Sequence, residues 1–162
     1  LEYRNFGAGV AFAQQSIDGG LTYLPATEVG MISQTGALDV DQVDGTVYIS
    51  GNDGQLAVGT PDPILGYPLT YTLSQPIPVS TDAANIFVAM RVANDHPGGG
   101  TPGTVYLCYS DGTNIYVISS NNHGATFNSP VQVNNPADPA QNVNLLPWIT
   151  ADTTQGSIGV VC

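Results

Sequence analysis

The sequence has no lysine, and its two arginines, Arg4 and Arg91, stand against 13 acidic residues, for a formal net charge of -11. A surface of that sign repels phosphate backbones, which argues against a nucleic-acid partner. Anionic membrane surfaces are disfavoured for the same reason. No apolar run approaches the roughly 20 residues of a bilayer-spanning helix, so membrane insertion is not expected. Nor does any stretch repeat apolar residues at the 3.6-residue helical period, and helix should be nearly absent. Cysteine is scarce. Cys108 and Cys162 cannot make a disulfide framework, and a single bridge or two unpaired thiols both fit. No Cys or His spacing suits a zinc site, and no cofactor is implied. The chain opens at Leu1 with no basic-then-apolar leader, which leads us to expect a mature or excised piece of something longer.

What is abundant points to one fold class. Hydrophobic residues make up 42% of the chain, enough for a buried core, while only 9% are charged. The apolar residues fall in short runs: "GVAFAQ", "GTVYIS", "QLAVGT", "IFVAMRV", "GTVYLCY", "NIYVISS", "SPVQV" and "SIGVV". Each is rich in β-branched or aromatic residues and bounded by Gly, Asp, Asn or Pro, as strands with turn punctuation are. The expected fold is all-β, and the abundance of turn residues suits an exported, secreted or cell-surface protein.

The runs recur in order. Gly45-Thr-Val-Tyr-Ile49 matches Gly103-Thr-Val-Tyr-Leu107, and each is followed by an Asp-Gly pair, Asp53-Gly54 and Asp111-Gly112. Gly156-Ser-Ile-Gly-Val160 is a third, weaker copy, and Asp41 and Asp152 each stand four residues before a repeat glycine. A second motif recurs too. Ser16-Ile-Asp-Gly-Gly-Leu-Thr-Tyr23 shares its serine, glycine, threonine and aromatic spacing with Ser120-Asn-Asn-His-Gly-Ala-Thr-Phe127. Thr60-Pro61-Asp62 begins a degraded copy between them, closed by Thr70-Tyr71. A period in the fifties with four short strands per unit predicts blades of a β-propeller. Within a unit the strands are expected near 146–152, 103–109, 114–120 and 126–133, each taken from its clearest copy. Residues 1–37 are then the end of one blade, 38–85 a second, 86–145 a third and 146–162 the start of a fourth.

The pattern Ser-x-Asp-x-Gly-x-Thr-aromatic resembles the Asp-box, or bacterial neuraminidase repeat, of sialidase-like propellers. Ser16, Asp18, Gly20, Thr22 and Tyr23 match every fixed position; Ser120, Gly124, Thr126 and Phe127 match in the second copy, with Asn122 in place of Asp. The run "SPVQVNN…NLLPWITAD…GSIGVV" is also similar to exported bacterial proteins of that family. The resemblance implies about three blade equivalents of a longer ring of about six or seven blades. By residue type the motif is structural: Asp or Asn accepts backbone N–H bonds in a tight turn, glycine supplies positive φ, and the aromatic ring buries between sheets. A metal at Asp18 and Asn122 is not expected, because calcium-type ions need six or more oxygens. His123 is expected to be solvent-exposed and not catalytic.

In an antiparallel blade the Asp-box turns and "NDHPGGGTPG" share one face. The resemblance implies that ligands bind on the other, near the axis, built here by Glu2–Gly7, 28–37, Gly51–Gly54, 80–85, Tyr109–Thr113 and 134–146. Arg4 falls on that face and Arg91 is expected not to. Candidate ligand contacts are Glu2, Arg4 and Trp148, although the start of a first strand suits Trp148 for the core as well. Asp53 and Asp111, each before glycine, read as hairpin chemistry. Catalytic members of the family hold the substrate carboxylate with three arginines, and two cannot make that triad. Three functions remain: a non-catalytic module binding a glycan or a surface protein, part of a glycoside hydrolase of exo-sialidase type whose catalytic residues lie mostly outside this chain, or an architectural part of an extracellular assembly. Partners also include further blades of the same ring or further copies of the chain.

Overall fold

The computed structural model describes residues 2–5, 10–30, 35–77, 88–95, 102–134, 146–153 and 156–161, with the backbone alone for 2–5 and Thr35. Within them the chain is all-β, with no helix, and its strands pair antiparallel in four sheets that follow one another in sequence. The first sheet holds β1 (Glu2–Asn5), β2 (Val10–Ala13) and β3 (Thr27–Glu28). The second is β4 (Thr35–Val40), β5 (Val47–Gly51), β6 (Leu56–Thr60) and β7 (Thr70–Ser74). The third is β8 (Ala89–Val92), β9 (Val105–Ser110), β10 (Ile115–Ser120) and β11 (Val131–Gln132), and the fourth is β12 (Trp148–Ala151) with β13 (Ile158–Val161). In every sheet consecutive strands are neighbours, so each is a meander.

Side-chain alternation explains why the central runs are apolar throughout. Successive residues of a strand point to opposite faces, and a strand between two packed sheets must be apolar on both. All six residues of β9 are buried. Val105, Leu107 and Tyr109 join a cluster with Tyr48, Leu56 and Val58 of the second sheet; Tyr106 and Cys108 join another with Ile149 of the fourth. A third cluster, Ala11, Ala13, Val29, Ile49 and Ala57, joins the first sheet to the second. The core is therefore three layers between four stacked sheets. Complete burial of one such Leu, Ile or Val side chain is worth about 1.5–3 kcal/mol. Cys108 is buried in β9, and Cys162 lies outside the described residues.

The opening strands of the sheets lie side by side, β4 beside β8 and β8 beside β12. Polar side chains tie the β4–β8 seam. Asp39 Oδ2 accepts from Val92 N at 2.9 Å, Asp41 Oδ2 accepts from Gly103 N at 2.8 Å, and Ser50 Oγ donates to the Val88 carbonyl at 3.1 Å. Part of the acidic excess thus works inside the fold. The second sheet starts at Thr35, ahead of the expected blade start at Leu38, with a register shift between those two residues. Gly36 allows it: a Cβ there would lie 2.8 Å from Ser50 Oγ and 2.9 Å from the Val88 carbonyl oxygen.

The repeat glycines do different jobs. Gly45 and Gly156 have φ of 76° and 75° and close tight turns. The two turns share a closing bond: Asp41 N donates to the Thr46 carbonyl at 2.9 Å and Asp152 N to the Ser157 carbonyl at 3.0 Å. Gly103 does not take the left-handed region. Its role is close approach, since a Cβ would collide with the Ala93 carbonyl oxygen.

Candidate functional site

The two motif turns occupy the same place, after the second strand of the first-sheet trio (β2) and after the third strand of the third sheet (β10), each leading into the last strand of its sheet. Their bonds repeat atom for atom. Ser16 Oγ donates to Asp18 Oδ1 at 2.8 Å and accepts from Gly20 N at 2.7 Å, while Asp18 Oδ1 accepts from Thr22 N at 2.9 Å. Ser120 Oγ donates to Asn122 Oδ1 at 2.8 Å and accepts from Gly124 N at 3.0 Å, and Asn122 Oδ1 accepts from Thr126 N at 3.0 Å. Both loops close through a 2.9 Å backbone bond, Leu24 N to the Gln15 carbonyl and Asn128 N to the Ser119 carbonyl. One bond changes direction. Thr22 Oγ1 donates to Asp18 Oδ2, whereas Asn122 Nδ2 donates to Thr126 Oγ1. The bonds from Thr22 and Ser16 hold the Asp18 carboxyl down at about 2. Asp62, in the degraded copy, accepts instead from Ile64 N and Leu65 N, and Thr70 and Tyr71 lie within β7.

The aromatic positions part company. Phe127 packs against the cluster between the second and third sheets, but Tyr23 is 48% exposed, contrary to the expected burial. No described sheet precedes the first one to cover its ring. His123, expected to be solvent-exposed, keeps a partly exposed side chain whose Nε2 lies 2.7 Å from Asp44 Oδ2 in the β4–β5 turn of the neighbouring sheet. It takes φ of 57°, in the conformation that Gly19 supplies in the first copy. Burial pushes the Asp44 carboxyl up, and its bonds from His123 and Thr46 outweigh that and hold it below the usual value.

The hairpin aspartates hold turns. Asp111 Oδ1 accepts from Thr113 N at 2.9 Å and Asn114 N at 2.7 Å, and Asp53 Oδ1 accepts from Gln55 N at 3.2 Å. Gly54 and Gly112 follow with φ of 81° and 94°.

A cleft of about 480 Å³ opens where the first strands meet, between residues 36–38, Ala89 and Arg91 of β8, and residues 146–148. Trp148 stands at its edge and is 65% exposed, so the core reading of this residue is overturned. Ile149 is the residue that faces inward, and alternation turns Trp148 away from that layer. Arg91, expected to lie elsewhere, belongs to the cleft: its guanidinium carbon sits 5.6 Å from the centre of the Trp148 ring, a cation–π distance. Met90 and Val92 fill the layer towards the second sheet, which leaves Arg91 on the other side of β8, next to β12. A lone arginine inside "IFVAMRV" was the available signal. Leu146 reaches the cleft with φ of 57°, rare for a branched residue.

Of the other candidates, Arg4 pairs with Ala11 and Glu2 with Ala13 in the β1–β2 ladder, and both side chains lie outside the described residues. So do residues 6–7, 31–34, 80–85 and 135–145 of the expected ligand-facing loops. Among the described residues no three His, Cys, Asp or Glu side chains gather as metal ligands. No family model, no curated protein and no solved structure matches the chain.

Proposed function

We propose that the chain is a segment of a sialidase-like β-propeller, exported to the cell surface or medium, that binds a glycan or a protein without catalysing turnover. The observation that carries this reading is the repeated turn chemistry, Ser16 to Thr22 and Ser120 to Thr126, set between equivalent strands of separate sheets. Face-to-face meanders with their first strands side by side support the propeller architecture. The stack leaves two outer faces among the described residues, which further blades or further copies would cover.

The reading without turnover rests on arginine count: with two arginines in the chain and Arg91 already against Trp148, these residues alone do not supply a three-arginine carboxylate clamp, and a clamp completed by further blades belongs to the glycosidase reading. The test is a fluorogenic sialoside assay on the intact parent protein beside a glycan-binding screen. Binding without hydrolysis supports the proposal. Hydrolysis that disappears on Arg4→Ala replaces it with the glycosidase reading, and a stoichiometric co-purifying partner without glycan binding replaces it with an architectural role.

A further inference from the structure

We propose that the Arg91–Trp148 cleft binds a small apolar carboxylate, a ring or short aliphatic chain bearing one acidic group; this stands on the cleft itself and is independent of the reading above. The lining decides the ligand class. Among the described residues around it, the only side-chain polar groups are the Arg91 guanidinium and the Trp148 indole N–H, and both are donors. The remaining walls are aliphatic, Leu38, Val88 and Leu146 among them. Sugars present several hydroxyls that call for acceptors as well as donors, and among the described residues this lining offers no side-chain acceptor. An apolar body with a single anionic acceptor fits. The volume, about 480 Å³, lies within the range of small-molecule sites.

Arg91 has capacity for such a group. Its contacts are long, 3.9 Å to Asp39 Oδ2 and 3.5 Å to the Met90 carbonyl. The Asp39 carboxylate is engaged by backbone, with Val40 N and Val92 N each 2.9 Å from one of its oxygens. A guanidinium has five N–H donors and binds a carboxylate with two of them in parallel. In a chain with two cations and a net charge of -11, a cation against an apolar cleft is the feature that selects an anion there. The acid could be a free metabolite or the chain end of a peptide, and the two share this chemistry.

Trp148 is the sole tryptophan, so its emission reports on the cleft directly. The 162-residue chain is titrated with 3-phenylpropionate, its amide, N-acetylphenylalanine, N-acetylneuraminate and glucose. The acid should change the emission saturably, with a Kd on the order of millimolar for so small a ligand, and the amide should bind about tenfold more weakly. Arg91→Gln, with an unchanged far-ultraviolet spectrum, should abolish the difference between acid and amide. Tighter binding of N-acetylphenylalanine identifies a peptide end as the source, and tighter binding of 3-phenylpropionate a free acid. Equal binding of acid and amide, or no saturable change with either, overturns the inference. N-acetylneuraminate or glucose binding more tightly than both acids overturns it while leaving the glycan-binding reading standing; binding of the acids alone supports it, and the glycan-binding reading is decided separately by the screen on the intact parent.

Discussion

Asp41, fully buried at the end of β4, accepts a hydrogen bond from Gly103 N at 2.8 Å, across the seam into the next sheet. Its other oxygen accepts from Val43 N at 2.9 Å, so one carboxylate fixes its own turn and the neighbouring connection. Asparagine keeps one acceptor oxygen and presents an N–H₂ group to the second donor. Asp41→Asn should therefore lower stability by about 1.5–3 kcal/mol, the worth of a charge-assisted bond, read as a shift of the urea midpoint at constant slope.

The two motif glycines should respond differently to alanine. Gly20 has φ of 88° and room for a Cβ, whose nearest neighbour is Tyr23 Oη at 3.7 Å. Gly124 has φ of 75°, and a Cβ there would stand 2.8 Å from Leu56 Cδ2 of the adjacent sheet. Gly20→Ala should cost only the left-handed conformation, about 1–2 kcal/mol. Gly124→Ala adds overpacking, a further 1–3 kcal/mol or so. Denaturant unfolding of both variants measures the gap; equal losses would show that the sheets do not close on that turn.

Acid should loosen one motif turn and spare the other. A carboxyl lowered from 3.8 to about 2 contributes stability that is complete above its unfolded value and is lost as pH falls through its folded one. The Thr22 amide, which donates to Asp18, should titrate by nuclear magnetic resonance with a midpoint near 2. The Thr126 amide, which donates to Asn122, should stay flat until global unfolding. Asn122→Asp should confer the titration on Thr126, and Asp18→Asn should remove it from Thr22.

The His123–Asp44 contact should contribute little at any pH, because both side chains are more than a third exposed, at 42% and 37%. Exposed pairs are worth about 0–1 kcal/mol. The Asp44 carboxyl is lowered, so its share is present above about pH 4 and fades below. Asp44→Asn should thus reduce the urea midpoint slightly at neutral pH and progressively less as the pH falls below about 4. His123→Gly should lose less than His123→Ala, since glycine adopts φ of 57° freely.

The strands inside the stack were legible because burial on both faces leaves an uninterrupted apolar run: "GTVYLCY" is β9 and "NIYVISS" is β10. β7 was harder to read: as an outer strand it is mostly exposed, and "TYTLS" carries no comparable apolar signal. β11, also exposed, was legible only within the run "SPVQV". β3, two residues long, carries none.

The amino-acid sequence by itself determined the all-β character, the order of the strands and the internal chemistry of the two motif turns, because each depends on residues near one another along the chain. Tertiary structure alone decided that Asp41 bonds to Gly103, that Tyr23 stays exposed where Phe127 is covered, and that Arg91 and Trp148 share a cleft. Those outcomes depend on which sheet faces which, and a repeat that fixes the local fold of each unit says nothing about what stands against its outer surface.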